Sequence, residues 1–458
     1  MTRVLEPESG RADGFSHLLQ ADLRFRPGQV VSMAFWDWLL GWFGRSRPSG
    51  TPSASTRTKS SRRVTPPRKR ARLAPTRHRR DQQRAARVPI TEVQGKPPYR
   101  LARFGSQSKH YLDLTLDHDE PALRERQLPL LRTPEDIAAW LKLKLSRLAW
   151  LVHHFSGGRA ESPQKSHYAY RWLQKAKGGW RLIEAPKSTL KQAQRKILAE
   201  ILEHLPLHPA AHGFHAGRSI VTNARPHVGQ FIVFKCDLQN FYPSVGFSRV
   251  VAIFRSVGYC REAAIWLARL TTTALPGNAS FPANDTSAML PYLRRHLPQG
   301  APTSPALANL SAYRLDLRLA GLAKSFGANY TRYADDLTFS GDERFAHSLR
   351  TFIPLVRQIC RQERFQLHPR KKKILRNHQR QSVAGVVVNT RTNISRQTYD
   401  DLKATLTNCL RHGPTSQNRE QHPNFPAHLQ GRIAHVLQLN RVRGERLRAL
   451  YAKIDWKK

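Results

Sequence analysis

Two adjacent carboxylates, Asp335 and Asp336, interrupt a run that is otherwise β-branched and aromatic: Tyr330, Thr331 and Tyr333 precede them, and Leu337, Thr338 and Phe339 follow. Such flanks predict two short strands, which confines the pair of acids to the tight turn of a hairpin. A turn presents both carboxylates on one edge, where their repulsion calls for a positive partner. Two divalent ions answer that need. In two-metal chemistry, ions about 3.5–4 Å apart clamp the attacking and leaving oxygens of a phosphoryl transfer, and aspartate offers the hard oxygen ligands that Mg²⁺ prefers. An Asp-Asp pair alone is more often a solvated turn, so its meaning depends on the rest of the chain.

A third acid stands in a suitable setting. Phe231-Ile232-Val233-Phe234-Lys235-Cys236 is an apolar β run closed by Asp237, the pattern by which a central strand delivers a carboxylate to a sheet edge. Phe241 and Tyr242 follow about one helical turn later. An aromatic there would pack under a nucleotide sugar and exclude a 2′-hydroxyl, although core filling is the default role of any single Phe or Tyr. Further on, Leu297-Pro298-Gln299-Gly300-Ala301-Pro302 forms a loop before a helical stretch at Ala306–Leu322. Gly300 would let a backbone approach a ligand, and Gln299 is a neutral donor and acceptor suited to a nucleotide or a strand. The basic run His368-Pro369-Arg370-Lys371-Lys372-Lys373 follows an amphipathic helix and would bring a lysine to a leaving pyrophosphate. Taken alone, it is a solvated face.

Charge narrows the partner. The 458 residues carry a formal net charge of +44, which implies a polyanion bound with strong salt dependence. The basic residues are spread along the whole chain, which favours nucleic acid over an anionic membrane surface. Cys236, Cys260, Cys360 and Cys409 are scattered without CxxC spacing, so neither a zinc site nor a disulfide framework is suggested, and a reducing cytoplasm fits. The stretch Met33–Phe43 is too short to span a bilayer, carries Asp37 and lacks the flanks of a secretory signal. It reads as a packed helix or an amphipathic docking segment, and Met33 is an alternative start of the chain.

Composition also divides the chain. Residues 1–95 are expected to be an N-terminal extension, with 33–43 its short apolar segment. Within it, Arg45 to Arg87 is rich in Ser, Pro, Thr and Arg with almost no large apolar residue, and is expected to be a disordered basic arm adding sequence-independent phosphate affinity. Globular patterning starts near residue 95. Thr133 is a candidate N-cap with Pro134 at the first helical position, and Ile137, Leu141, Leu145 and Leu148 follow at helical spacing. A second helix is predicted over Leu190–Leu202, with Leu190, Ala193, Ile197 and Ile201 as its apolar stripe. Before it, Lys177-Gly178-Gly179-Trp180-Arg181 has hairpin-turn chemistry, and its arginine would reach a triphosphate.

In this order, KGGWRLIEAP, HGFHAGRSI, FKCDLQNFYPS, LPQGAPTSPALANL, YADDLTFS and HPRKKKIL resemble the successive blocks of a bacterial reverse transcriptase, over about residues 165 to 440. Within that family the chain most resembles the retron type. Asn223-Ala224-Arg225-Pro226-His227 matches the NAxxH element. Val383-Ala384-Gly385 stands where a VTG element is expected, with Ala384 replacing its Thr.

The resemblance implies an α+β right-hand polymerase fold: fingers at 96–230, an antiparallel-sheet palm at 231–395 and a helical thumb at 396–458. It implies a catalytic and metal-binding triad at Asp237, Asp335 and Asp336, holding two Mg²⁺ with Mn²⁺ as a substitute. Nucleotide contacts fall on Arg181, Tyr242 as the sugar-selecting aromatic, Gln299 and Lys371. Asn223, His227, Arg432 and Arg441 are the expected RNA contacts. The implied reaction is metal-dependent attack of a primer hydroxyl on the α-phosphate of a deoxynucleotide. The implied template is a structured noncoding RNA primed by a guanosine 2′-hydroxyl, giving short single-stranded DNA joined to RNA, with a separate effector protein in anti-phage defence.

Leu429, Ile433, Val436 and Leu437 repeat at helical spacing and fit a thumb with one buried face. The end at Lys458 leaves no room for the extensions of a group II intron protein. Two other readings compete with the retron type: another bacterial reverse transcriptase with a different primer and template, and a non-catalytic RNA-binding scaffold. The three acids speak against the scaffold.

Overall fold

A computed structural model describes residues 90–456, except 98, 105–109, 154–159, 176–177 and 280–288. The expected basic arm and the 33–43 segment lie outside the described residues. At the start, β1 (Thr91–Gln94), β2 (Arg103–Phe104) and β3 (His110–Asp113) form a small sheet in the order β1-β3-β2. Three short helices follow: α1 (Glu120–Glu125), α2 (Pro134–Trp140) and α3 (Leu145–Leu151). Thr133 caps α2 as expected, accepting from Asp136 N while the Asp136 carboxylate accepts from Thr133 N. The single helix expected across Ile137 to Leu148 is instead two, because Lys142 takes a left-handed φ of 57° that ends the first. The turn lets Ile137 and Leu148 reach the same core from separate axes.

The hairpin predicted at Gly178-Gly179 joins β4 (Tyr168–Gln174) to β5 (Trp180–Pro186), with both glycines at φ near +80°. Next comes α4 (Ser188–Glu200), whose Leu190, Ala193 and Ile197 are buried, as is Ile201 just beyond it. The short α5 (Ile220–Ala224) precedes β6 (Ile232–Asp237), and α6 (Phe247–Val257) and α7 (Arg261–Thr271) pack beside it. After α8 (Leu290–Leu293), the helix expected at Ala306–Leu322 is divided at Ala312 into α9 (Ser304–Ser311) and α10 (Tyr313–Ser325). The acid hairpin is β7 (Asn329–Tyr333) and β8 (Asp336–Gly341), followed by the long α11 (Glu343–Gln362) and β9 (Lys373–Arg376).

These strands form an antiparallel sheet in the order β7-β8-β6-β9. The two-residue period of a strand gives this sheet two different faces. Phe234 and Cys236 of β6, with Leu337 and Phe339 of β8, enter the main core with Phe345 and Phe352 of α11. Val233 points the other way, into a second core built from Val383, Val386 and Val388 around the tight hairpin β10 (Ser382–Val383) and β11 (Val386–Val387). The same core holds buried residues of α12 (Arg396–His412), α13 (Phe425–Leu439) and α14 (Arg441–Tyr451). Leu429, Ile433 and Val436 are buried there, and Gly444 lets α14 close on α13, since a Cβ at that position would meet Leu437 at 2.5–2.6 Å. Among the described residues no helix is long and apolar enough to cross a membrane. All four cysteines are buried free thiols.

Candidate active site

Alternation along β6 puts Val233, Lys235 and Asp237 on one face, with Val233 anchoring that face to the second core. Asp237 pairs directly with Asp336 across the β6–β8 ladder, so the two carboxylates are cross-strand neighbours. Asp335 lies in the adjoining turn, and its carbonyl accepts a 2.8 Å bond from Leu238 N. Acids from two segments distant in sequence, Asp237 and the pair Asp335 and Asp336, therefore meet at one end of one sheet.

Like charges so arranged are costly, and the structure offsets them with lysines. Lys371 Nζ lies 2.8 Å from Asp237 Oδ2, and Lys235 Nζ lies 3.0 Å from Asp336 Oδ2. Although 28% of the Asp336 side chain reaches solvent, the surrounding protein desolvates both Asp335 and Asp336. Burial, then the charge of Asp237, pushes the Asp335 carboxyl up to about 7 against the pull of Lys371. Burial likewise raises Asp336, opposed by Lys235. Among the described residues no group of three His, Cys, Asp or Glu side chains forms a ready-made cage for an ion. The donor set nevertheless suits a hard divalent cation: three carboxylates at adjacent positions, two already paired with an ammonium group, and one whose charge is disfavoured by burial and by Asp237 until a cation arrives.

Of the expected nucleotide contacts, Tyr242, Arg181 and Lys371 share the electrostatic field of these acids. The Tyr242 hydroxyl is raised first by burial and next by Asp335, with Arg332 and Arg181 opposing, so it stands in electrostatic reach of both an acid and an arginine of the site. Burial lowers Lys175, and so do Arg181 and Lys371, against Asp237. Lys175, at the foot of the β4–β5 hairpin, thus shares the field of this cluster and was not among the expected residues. Its only signal in the sequence is the set of basic residues around Gly178-Gly179. Gln299 is tied to β5 through its backbone, its carbonyl accepting from Glu184 N at 2.8 Å, while Glu184 Oε2 and His296 Nε2 lie 2.9 Å apart in the interior. Gly300 packs closely on β5, since an added Cβ would lie 3.2 Å from Glu184 O.

Asn223 and His227 are placed behind the hairpin, and His227 is fully buried. Its Nδ1 lies 2.6 Å from Ser340 Oγ and its Nε2 lies 2.8 Å from Thr331 Oγ1, while Thr331 Oγ1 also donates to Asn223 O at 3.3 Å. Both side chains are buried, and the His227 ring and the Asn223 carbonyl brace β7 and β8. Burial first, then His212 and Lys235, holds His227 neutral, with its pKa down at about 3. A histidine whose folded value lies below its unfolded one contributes stability above about pH 6.5, and that contribution is lost as pH falls toward the folded value. His227→Gln is therefore expected to cost about 1–3 kcal/mol at neutral pH and to flatten the decline in stability between about pH 6 and 4. Urea unfolding at both ends of that range measures it, and parallel pH slopes for the two proteins would refute the role.

Arg441 is exposed on α14, whereas Arg432 is half-buried within reach of Asp401 and Glu420. Neighbouring Arg443 lies over the Tyr399 ring at 4.8 Å. Ala384 and Gly385 both take positive φ, 45° and 84°, at the two-residue turn of β10–β11. That turn conformation disfavours a β-branched residue, so Ala is the less strained occupant of position 384.

A family model described as reverse transcriptase (RNA-dependent DNA polymerase) matches residues 173–398. The chain is 41% identical over 329 residues to the retron Mx65 reverse transcriptase of Myxococcus xanthus, covering 72% of this chain and 73% of that one. To the retron Mx162 reverse transcriptase of the same organism it is 40% identical over 282 residues, covering 59% and 56%. To the retron Ec86 reverse transcriptase of Escherichia coli it is 29% identical over 292 residues, covering 62% and 80%.

Proposed function

The chain belongs to the retron reverse transcriptases, RNA-directed DNA polymerases that make msDNA, and on that premise we propose that Asp237, Asp335 and Asp336 are its metal-binding and catalytic triad. The observation that carries this reading is the direct cross-strand pairing of Asp237 with Asp336, one residue from Asp335. When bound, a pair of Mg²⁺ ions, or Mn²⁺ in their place, supplies Lewis-acid activation of the primer hydroxyl and neutralises the triphosphate. The chain's own residues do the rest. Lys371, 53% exposed and held only by Asp237 among the described residues, is free to swing from that carboxylate to the departing phosphates. Arg181 and Lys175 add positive charge on the β4–β5 hairpin. Tyr242 underlies the sugar and excludes a 2′-hydroxyl, and Gln299 meets the nascent base pair or template from a loop fixed to β5.

In this reading the β4–β5 region and the helices before it are the fingers, the four-stranded sheet with its helices is the palm, and α12 to α14 form the thumb. The thumb grips a stem-loop of the cognate noncoding RNA through exposed arginines such as Arg441, with Arg432 beside it. The basic arm before residue 90 adds affinity without sequence preference. Priming starts from a guanosine 2′-hydroxyl of that RNA, and the joined product works with a separate effector protein in anti-phage defence.

The test is to purify the full chain from its host and digest the co-purified nucleic acid with RNase and DNase separately. A discrete short DNA carrying an RNase-sensitive branch is expected. Bulk host RNA without such a DNA would overturn the template and priming proposed.

A further inference from the structure

The reverse side of the acid hairpin carries a buried charged cluster with no part in the roles above. Arg332 of β7 points away from the carboxylate face and is fully buried, as is Asp316 of α10. Its Nε donates to Asp316 Oδ1 at 2.8 Å and its Nη2 to Asp316 Oδ2 at 2.6 Å, a bidentate pair. The remaining arm, Nη1, donates to Asn309 Oδ1 at 2.8 Å and to Ala334 O at 3.0 Å. Two more bonds hold the acceptors in place: Tyr330 OH donates to Asp316 Oδ1 at 2.8 Å, and Asn309 Nδ2 donates to Gly213 O at 2.8 Å.

Burying an ion pair is seldom the cheapest way to stabilise a core, since apolar residues of similar volume commonly do as well. Apolar residues cannot donate to Ala334 O. Ala334 sits at φ 55°, an unfavourable conformation for a residue with a Cβ, and it immediately precedes Asp335. The guanidinium therefore ties the carbonyl of the strained residue to two helices, α9 through Asn309 and α10 through Asp316.

We propose that Arg332 is a positioning residue for the metal site: clamped by Asp316 and Asn309, it holds the Ala334 carbonyl and so fixes where the turn presents Asp335 and Asp336. The inference deepens the metal-site reading and rests on it. A planar fork is required, because a lysine keeps the charge beside Asp316 but has no second arm for Ala334 O.

The full chain is assembled with dideoxy-terminated oligo(dT) on poly(rA) and dTTP, and bound Mn²⁺ is read by electron paramagnetic resonance, which needs no turnover. Outer partners of metal ligands typically contribute about 10–100-fold in metal affinity, so Arg332→Lys is expected to weaken Mn²⁺ about tenfold while duplex affinity stays within about twofold. Asn309→Ala buries no unpaired charge and is expected to lose affinity in the same direction by less. Wild-type Mn²⁺ affinity in both folded variants, or equal losses of Mn²⁺ and duplex affinity, would overturn the proposal. If Arg332→Lys does not fold, Asn309→Ala decides alone. Asp335→Asn in the same assay separates the two readings: if it keeps Mn²⁺ affinity the metal site itself is wrong, and if it loses affinity while Arg332→Lys does not, only the role of Arg332 fails.

Discussion

Asp335→Asn is expected to reduce deoxynucleotide incorporation to background and, at about pH 8 without metal, to leave the protein more resistant to heat than the wild type. The two effects have one cause. In the folded chain burial and the charge of Asp237 raise the Asp335 carboxyl to about 7, well above the ordinary value of an aspartate. An acid raised in the folded state binds its proton more tightly there than when unfolded. Its contribution therefore favours folding at low pH, declines as pH rises through the interval between the unfolded and folded values, and is a full penalty above about 7. Asparagine removes that penalty along with the ligand. Divalent metal reverses the comparison, since an ion that binds only the folded wild type stabilises it by mass action and leaves the variant unmoved. Thermal melting at about pH 6 and pH 8, with and without Mg²⁺, reads all four conditions beside primer extension. Full incorporation by Asp335→Asn would remove the residue from the site.

Gly213→Ala is expected to lower incorporation about a hundredfold with a much smaller loss of stability, the cost of a misplacement near 1 Å at reacting groups. A Cβ on residue 213 would lie 2.8 Å from Ala334 N and 3.5 Å from Tyr333 C, contacts with backbone that cannot rotate away. The Gly213 segment is itself held, because His212 N donates to Arg332 O at 2.8 Å and Gly213 O accepts from Asn309. Because Asn309 ties both the Gly213 carbonyl and, through Arg332, the turn at Ala334, the methyl group is admitted only by displacing the turn that carries Asp335. Single-turnover kinetics with the melting midpoint decide the matter. A wild-type rate would show that the turn tolerates the shift, and a rate loss matched by unfolding would assign the glycine to stability alone.

Local pattern located the acid hairpin, the strand ending at Asp237, the β4–β5 turn and the helix over 188–200, because each depends on side chains a few residues apart. The break at Lys142 and the division at Ala312 escaped it, since the apolar spacing there runs on through the ends of the helices. The NAxxH element was visible as a motif, yet its Asn223 and His227 are buried. His227 finds its partner Ser340 across 113 residues, a contact that no local periodicity encodes. Lys175 and Arg332 were missed for related reasons. A basic residue beside a turn reads as solvated, and an arginine in a strand gives no sign of the aspartate that neutralises it.

The sequence by itself determined that three carboxylates border strands or occupy a turn, that the chain carries a large positive charge suited to a polyanion, and which family its blocks resemble. Those properties follow from local propensity, total charge and residue order, none of which requires the chain to be folded. Only the tertiary structure decided the register that sets Asp237 opposite Asp336, the lysines that hold two of the acids, and the buried guanidinium beneath the turn. Register and burial are fixed by packing between distant segments, and in this protein that packing turns isolated acids into a charged site with its own counter-ions.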